Sequence, residues 1–301
     1  MSDALVLVVG SLHHDVIVRA DRLPQLDETL PGSSVDYVFG GKGGNQAVAA
    51  ALHGAPTAMA GRVGSDPSGR FMLDHLDRAG VDRSMVAVDA VMSTGMSVAI
   101  VTRGGEYGAV IVSAANLAID AGKIAVPKAA KVLLIQNEIP EAANRDVAAK
   151  AKAAEGIVVL NAAPARPAKS DLLDLIDVLI VNRVEAAAMA AQSVETPEQA
   201  ATAAQELADN RRTSIVTMGA EGLVFSDRGS AARHLPAHKV MALSTHGAGD
   251  AFAGALAARL ALGSDLVGAI AYAQAAAALH VSRPAKAQTA VTPSDVFALI
   301  G

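Results

Sequence analysis

A short glycine-rich segment with one acid carries the groups needed for chemistry on an anion. Residues 244–250 read Ser-Thr-His-Gly-Ala-Gly-Asp and precede a helix-like apolar run from Ala251 to Leu262. Gly247 and Gly249 lack a Cβ atom, so the backbone there can turn tightly and approach a ligand closely. A helix start adds free N–H groups and a partial positive charge, which favour phosphate oxygens. Because Asp250 can accept a proton from an attacking hydroxyl, the segment has the layout that phosphoryl transfer requires.

The same segment also has a purely structural interpretation. Aspartate is a good N-cap residue, and glycines are common in loops that lead into helices. The pattern Gly-x-Gly-Asp therefore does not by itself separate a general base at Asp250 from a helix cap, and the rest of the chain must decide between them.

A second glycine-rich segment lies near the N-terminus. Residues 40–45 read Gly-Gly-Lys-Gly-Gly-Asn and lead into a helix-like run from Gln46 to Leu52. The segment is not a P-loop, because Gly44 and Asn45 stand where that motif requires other residues after the lysine. Lys42 and Asn45 could hydrogen-bond a polar ligand, whereas a glycine turn into a helix would explain only the glycines. Both interpretations remain open for this segment.

Composition limits the classes of function. A length of 301 residues predicts one large α/β unit with an insertion, and a hydrophobic fraction of 51% is ample for its core. The net charge of −5 and the absence of a basic run argue against a nucleic-acid or membrane-surface partner. The absence of cysteine excludes disulfides, thiol nucleophiles and cysteine metal sites. Without a signal-like start or an apolar stretch that could span a bilayer, we expect a soluble cytoplasmic protein.

Apolar runs alternate with helix-like segments along the chain. The runs that predict buried strands are 4–9, 57–63, 132–135, 157–160, 178–181 and 214–218. This alternation predicts an α/β fold with a doubly wound, mostly parallel sheet flanked by helices. Shorter alternating segments predict a small additional sheet, formed by 16–20, 33–39 and a hairpin of 96–102 and 107–112. Ligands bind at the carboxyl ends of parallel strands, where Asp15, Glu138 and Asn182 follow.

The segment that begins with Asn182 also admits two readings. Asn182 and Glu185 have the spacing of a capping box at a helix start. Their oxygen atoms could instead contact a phosphate group or a water molecule of Mg²⁺, because hard oxygen ligands suit that ion.

These segments, taken in order, resemble the ribokinase/PfkB-type carbohydrate kinases from end to end. The resemblance rests on residues 10–15 (GSLHHD), 40–45 (GGKGGN), 161–164 (NAAP), 182–185 (NRVE), 217–219 (TMG) and 247–250 (GAGD). It implies one α/β domain over residues 1–301, with a β-sheet lid from discontinuous segments at about 15–40 and 94–114. It further implies a homodimer formed through the lid sheet.

The resemblance also implies an activity and a set of site residues. The γ-phosphate of ATP would pass to a hydroxymethyl group of a pentose, with ribose the first candidate. Asp250 would be the base, and the anion hole would be formed by the amides of Gly247, Ala248 and Gly249. The sugar would be held by His13, Asp15, Gly41, Lys42, Asn45 and Glu138. The nucleotide would contact Asn182, Glu185, Thr217, Gly219 and Gln274, and Glu185 would hold Mg²⁺ through water.

Three departures from the family pattern bear on specificity. His13 stands where these kinases usually have a sugar-contacting Asn, and Gln274 where they typically have an adenine-contacting His. The loop that binds a monovalent cation in the family begins with Asp, whereas here Ser244 takes that place and leaves, with His246, a degenerate loop. The lost carboxylate predicts weak or absent K⁺ activation, with Lys286 as a replacement positive charge.

Other functions are compatible with parts of this pattern. A nucleoside or ketohexose kinase could use the same hydroxyl-binding residues. A sugar-binding regulator without catalysis is disfavoured because Asp250 and its glycines are intact. A dinucleotide-dependent oxidoreductase is disfavoured because the first strand ends at Gly10 without a Gly-x-Gly-x-x-Gly turn.

Overall fold

A computed structural model describes residues 3–104, 106–166, 170–284, 287 and 291–301. The positive charge predicted at Lys286 lies outside these residues. The strands are β1 (Val6–Val9), β2 (His13–Ala20), β3 (Ser34–Gly40), β4 (Thr57–Gly64), β5 (Asp82–Asp89), β6 (Gly95–Thr102), β7 (Tyr107–Val112), β8 (Val132–Gln136), β9 (Ile157–Asn161), β10 (Val178–Asn182), β11 (Thr213–Thr217), β12 (Leu223–Asp227) and β13 (Arg233–Leu235). The α-helices are α1 (Lys42–Leu52), α2 (Pro67–Arg78), α3 (Glu141–Ala153), α4 (Ser170–Leu173), α5 (Arg183–Ala190), α6 (Pro197–Ala208), α7 (Ala248–Ala261), α8 (Leu266–Val281) and α9 (Pro293–Ile300).

The larger sheet forms the centre of the fold. In the described part of the chain it has nine strands, in the order β13-β12-β11-β10-β9-β8-β1-β4-β5. All neighbours from β5 to β11 pair in parallel, and only β12 runs antiparallel to its neighbours β11 and β13. Alternate residues of β1 belong to different core clusters. Val6 and Val8 belong to the cluster that contains residues of α1, α7 and α8, and Leu7 and Val9 to the cluster that contains residues of α3 and α6. The predicted doubly wound, mostly parallel sheet is confirmed.

Helices α1 and α7 approach each other unusually closely. A Cβ atom added to Gly254 of α7 would lie 2.5 Å from the Cβ of Ala49 and 2.6 Å from the carbonyl oxygen of Gln46. Such distances leave room only for glycine at this crossing. The small residues Gly254 and Ala49 therefore allow the two helices to pack closely at this point.

The smaller sheet has the strand order β3-β2-β6-β7 among the described residues. β2 pairs antiparallel with β3 and parallel with β6, and β6 and β7 form the predicted antiparallel hairpin. Cross-strand register places Tyr37, Val16, Val98 and Val110 in one row across the sheet. Because side chains alternate along a strand, Asp15 and Ser97 lie on the opposite face.

The structure corrects two predicted helix starts. α1 begins at Lys42 rather than Gln46, and α7 begins at Ala248 rather than Ala251. Gly43, Gly44 and Gly249 thus belong to first helical turns instead of preceding loops. The reason at Gly43 is a close contact, because a Cβ there would lie 2.6 Å from the backbone nitrogen of Ser11 beyond β1.

Four elements, β5, β13, α4 and α6, are absent from the sequence-based prediction. β5 lies at an edge of the large sheet and mixes polar with apolar residues, so it has no continuous apolar run. β13 has only three residues, which is too short to give a periodic pattern.

No helix in the described ranges is long and apolar enough to cross a membrane.

Candidate active site

Asp250 is held in the first turn of α7 by side chains of α1. Its Oδ1 accepts a hydrogen bond from Nε2 of Gln46 at 2.9 Å, and its Oδ2 accepts one from Nδ2 of Asn45 at 3.2 Å. The N-cap of α7 is Gly247, whose φ of 74° is favourable only for residues without a Cβ. Asp250 is therefore not the N-cap of α7, and its interpretation as a helix cap is wrong.

Burial sets the protonation behaviour of Asp250. Removal from water raises the pKa of its carboxyl group, while the charge of Lys42 and the amides of Gln46 and Asn45 oppose this rise. A carboxylate that is dehydrated but held by two amide donors remains fixed in direction and is more basic than one in water. These properties suit a group that accepts a proton.

The backbone in front of Asp250 is open to an anion. Gly247, Ala248, Gly249 and Asp250 line a cavity of about 180 Å³ together with Lys42. The amide of Ala248 makes a long bond of 3.4 Å to the carbonyl of Thr245, and the amide of Ala251 donates to the carbonyl of Gly247 at 2.9 Å. A Cβ added to Gly249 would meet nothing within 4 Å, so the space beside this residue is free. The arrangement supplies first-turn amides and a lysine around one empty volume.

Three predicted nucleotide-site residues, Asn182, Glu185 and Thr217, line this same cavity. Asn182 and Glu185 form the capping box of α5: Oδ1 of Asn182 accepts from the amide of Glu185 at 2.9 Å, and Oε2 of Glu185 accepts from the amide of Asn182 at 2.8 Å. Burial raises the pKa of Glu185, an effect that Lys42 opposes. Oγ1 of Thr217 donates to the carbonyl of Val181 at 3.3 Å.

The donor set of this cavity fits a hydrated Mg²⁺. The capping bond uses only Oε2 of Glu185, and the carboxylate of Asp250 lines the same cavity. No cluster of three or more acidic, histidine or cysteine residues that could enclose a bare metal ion occurs in the described ranges. Mg²⁺ keeps several waters and is usually bound by one or two carboxylates together with substrate phosphates, which agrees with so sparse a set.

The predicted sugar-contacting residues cluster where β1, β8 and the small sheet meet α1. Oε2 of Glu138 accepts hydrogen bonds from the hydroxyl of Ser11 and from the amide of Lys42, the latter at 2.9 Å. Nδ1 of the buried His13 lies 3.8 Å from the same oxygen, beyond hydrogen-bonding distance. Oδ1 of Asp15 accepts from the hydroxyl of Ser97 at 2.5 Å, and burial raises the pKa of Asp15.

Gly41 makes the junction between this cluster and α1 possible. It is the N-cap of α1 with a φ of 85°, a conformation that favours glycine. A Cβ at this position would lie 2.7 Å from the backbone nitrogen of His13 and 2.8 Å from the carbonyl oxygen of Ser11. The glycine therefore lets the N-terminus of α1 rest directly on the chain between β1 and β2.

Some predicted residues lie apart from the 180 Å³ cavity. Gly219 and Gln274 are not among its lining residues, and Nε2 of Gln274 donates to the carbonyl of Leu235 at 3.0 Å. His246 lines a second cavity of about 310 Å³, which also borders Asn45 and Asp250. The amide of Ser244 donates to the carbonyl of Val281 at 3.2 Å, which ties the predicted cation loop to the end of α8.

Sequence reasoning missed several polar residues of the site. Gln46 and Gln136 are fully buried, and Nε2 of Gln136 donates to Oε1 of Gln46 at 2.7 Å. Ser11 binds Glu138, and Asn161 and Thr245 line the smaller cavity. A usable signal existed at Gln46, which is a long polar residue in an otherwise alanine-rich helix.

Comparison with known proteins assigns the chain to a family. Residues 3–292 match the model of the pfkB family carbohydrate kinases. The chain is 36% identical over 281 residues to a ribokinase of Bacillus subtilis, with 92% of each chain covered. It is 33% identical over 265 residues to a ribokinase of Mus musculus, covering 86% of this chain and 82% of the relative. Among solved structures, Arabidopsis thaliana ribokinase complexed with ribose and ATP superposes with a TM-score of 0.91 at 28% identity, covering 100% of this chain and 99% of the other. The chain belongs to the PfkB family of carbohydrate kinases.

Proposed function

We propose that the protein transfers the γ-phosphate of ATP to a hydroxymethyl group of a pentose, with ribose the first candidate. The observation that carries this proposal is the position of Asp250, a buried carboxylate at the border of a cavity lined by first-turn amides and Lys42. The relatives named above support the pentose, since they are ribokinases and one was solved with ribose and ATP.

Catalysis would depend on positioning and charge stabilisation. Asp250 accepts the proton of the sugar hydroxyl, whose oxygen forms a bond to the γ-phosphorus as the bond to the bridging oxygen of ADP breaks. The amides of Gly247, Ala248 and Gly249 stabilise the charge that develops on the transferred group. Lys42, whose side chain lines the same cavity, adds a positive charge there. Bound Mg²⁺ would neutralise phosphate charge, with Glu185 holding one of its water molecules.

The substrates would bind on opposite sides of Asp250. The sugar hydroxyls contact the residues that surround Glu138, namely His13, Asp15, Gly41, Lys42 and Asn45. The nucleotide contacts Asn182, Glu185 and Thr217 at the strand ends, and its base extends toward Gly219 and Gln274. Closure of the small sheet, which together with its flanking segments is the lid of a single domain, would exclude water and protect ATP from hydrolysis. A cytoplasmic location is consistent with ATP as the phosphoryl donor.

A nucleoside kinase is the second candidate, because a second cavity borders the proposed base. This cavity of about 310 Å³ is lined by Asn45 and Asp250 on one side and by Phe39 and His75 on another. The rings of Phe39 and His75 stack with their centroids 4.0 Å apart, which offers a flat surface beside the acceptor site. A nucleobase attached to the sugar could use this surface.

The small sheet also supports a homodimer. Its row of Tyr37, Val16, Val98 and Val110 includes side chains that are 61%, 41% and 67% exposed at Tyr37, Val98 and Val110. An apolar row on a sheet face favours burial against a second copy of that face. Light scattering after size-exclusion chromatography should give the mass of a dimer for the wild type and of a monomer for Val110→Asp. A monomeric wild type would contradict this part of the proposal.

The test of the function is a substrate panel. ATP consumption by the purified protein is measured with ribose, other pentoses, ketohexoses and nucleosides, each with and without K⁺. We expect the highest kcat/KM with ribose. A preference for a nucleoside would select the second candidate. Absence of sugar-dependent or nucleoside-dependent ATP consumption would contradict the assignment of a kinase.

A further inference from the structure

A chain of buried amides leads from the interior of the protein to Asp250. Nε2 of Gln46 donates to Oδ1 of Asp250 at 2.9 Å, and Nε2 of Gln136 donates to Oε1 of Gln46 at 2.7 Å. Both glutamines are fully buried. They come from different elements, α1 and β8, so that the sheet itself is linked to the carboxylate through two side chains.

The direction of each amide in this chain is fixed by its neighbour. An ionised carboxylate can only accept hydrogen bonds, so Gln46 must present its NH₂ group to Asp250 and its oxygen to Gln136. Gln136 must then donate, which turns its own oxygen away from Gln46. That oxygen is buried and has no hydrogen-bond partner among the described residues, a cost that requires a compensating gain.

Gly10 provides the space for this arrangement. A Cβ atom added to Gly10 would lie 1.9 Å from Oε1 of Gln136 and 2.9 Å from the Cα of Gly43. Gly10 has no left-handed φ, so its lack of a side chain serves this contact rather than a turn. The end of β1 is thus shaped around the amide of Gln136.

The two oxygens of Asp250 have different surroundings. Oδ1 is held at 2.9 Å by Gln46, which has no exposure to solvent. Oδ2 has a longer bond of 3.2 Å to Asn45, which borders the second cavity and can exchange this bond for one to a ligand. The charged groups that act on the carboxylate are Lys42, which favours its ionised form, and Glu138, which opposes it.

We infer that Gln46, held by Gln136, is the positioning residue that locks Oδ1 of Asp250 and leaves Oδ2 as the atom that takes the proton. This inference rests on the proposed function. In the transfer step the acceptor O–H proton moves to Oδ2, the acceptor oxygen bonds to the γ-phosphorus, and the bridging oxygen leaves with ADP and the electron pair. Without Gln46 the carboxylate of Asp250 would be free to rotate. Its ionised form would also lose one of the two side-chain hydrogen bonds that stabilise it.

The test replaces the amides by side chains of similar length that cannot donate. Gln46→Met should lower kcat by about tenfold or more, because small misplacements of a reacting group are costly. The KM for sugar and for ATP should stay within about twofold, since Gln46 is fully buried and lines neither cavity. The acidic limb of the kcat profile should move to higher pH, because a donor that stabilises the carboxylate is lost.

A double-mutant cycle separates this role from a loss of packing. Gln136→Met should lower kcat less than Gln46→Met, and the double variant should be no worse than Gln46→Met alone, because the two residues act through one path. Thr57→Val is the control: Thr57 is buried in β4 and donates to the carbonyl of Ala55 at 2.8 Å, remote from Asp250. Thr57→Val should lower the unfolding temperature but should not change the pH at which kcat falls on the acidic side.

Two results would overturn the inference. One is a wild-type kcat and pH profile in Gln46→Met, and the other is an additive effect of the two substitutions. If Gln46→Met does not fold, the test rests on Gln136→Met. This variant keeps Gln46 but removes the hydrogen bond that fixes its orientation. An unchanged kcat and an unchanged acidic limb of the pH profile in Gln136→Met would then overturn the inference. A wild-type protein that phosphorylates no sugar would instead contradict the proposed function.

Discussion

Asn45 and Asp250 are 205 positions apart in the chain, yet the side-chain amide of one donates to Oδ2 of the other at 3.2 Å. This contact joins the first turns of α1 and α7, each of which begins at a glycine-rich segment. The close crossing of the two helices at Gly254 makes the contact possible. Residues of the two motifs, which are far apart in the sequence, therefore line one cavity.

Substitutions at two glycines of α7 should differ in their effects on stability and on catalysis. Gly254→Ala places a methyl group 2.5 Å from Ala49 Cβ and should cost roughly 1–3 kcal/mol of unfolding free energy through overpacking. Gly249→Ala meets no atom within 4 Å and should leave the unfolding temperature unchanged. Its methyl group would enter open space beside Gly249, which lines the 180 Å³ cavity, so we expect kcat/KM for ATP to fall at least about tenfold, a loss of roughly 1.4 kcal/mol. Thermal unfolding and steady-state kinetics of both variants check this prediction.

The opposite pattern would contradict the account of the anion hole. If Gly249→Ala kept full activity, the transferred phosphate would not bind in the open volume beside Gly249.

His13 should control the choice of sugar. Its ring is buried within 3.8 Å of Glu138, so it shapes the pocket without a hydrogen bond to that carboxylate. His13→Asn should change the ratio of kcat/KM between ribose and other pentoses by about tenfold, the value of one hydrogen bond. The KM for ATP should not change. Equal effects on all sugars would assign His13 a role in folding rather than selection.

The pH dependence of turnover should reflect burial of Asp250. Its pKa is raised by desolvation, so kcat should fall as the pH decreases through a limb that lies above the range of an ordinary aspartate. The same shift affects stability with a defined sign. A raised pKa in the folded state means that this group favours folding below its unfolded pKa and that the benefit is lost as the pH rises through the folded pKa.

Asp250→Asn removes this titration. As the pH rises from the unfolded-state pKa of Asp250 through its raised folded-state pKa, the wild type should lose unfolding free energy relative to the variant. Urea unfolding at several pH values measures this difference. A difference that is independent of pH would show that the carboxyl group titrates alike in both states.

Potassium should have little effect on the rate. Ser244 brings no carboxylate to the loop, and the ring nitrogen Nε2 of His280 lies 3.1 Å from the carbonyl oxygen of His246 in the same segment. A neutral imidazole that donates to this carbonyl would occupy an oxygen that a cation could otherwise use. We expect less than about twofold activation in a K⁺ titration with Na⁺ as the control, a change worth under about 0.4 kcal/mol in the barrier. Activation of several-fold would overturn this expectation.

The sequence predicts the central fold because the parallel strands are apolar on both faces. Runs such as Val132–Gln136 are buried throughout and stand out against the flanking helices. The edge strand β5 does not stand out, because polar residues interrupt its apolar ones, yet it still pairs with β4. Tertiary pairing, rather than local pattern, makes it a strand.

The sequence predicts those parts of the candidate site whose residues lie close together in the chain. The glycines and Asp250 are adjacent in the sequence, as are Asn182 and Glu185, so their proximity needs no tertiary information. The partners of Gln46 lie 90 and 204 positions away, at Gln136 and Asp250. No local rule could indicate which of the buried amides would reach the carboxylate.

The central claim is that Asp250 is the base of a sugar kinase. The most direct test compares wild type with Asp250→Asn, an exchange of similar size, in ribose-dependent ADP formation and in ribose binding by calorimetry. The account predicts that ADP formation falls by at least about 10²-fold, as for loss of a general base, while the Kd for ribose changes by less than about tenfold. Turnover that survives in Asp250→Asn would contradict the account.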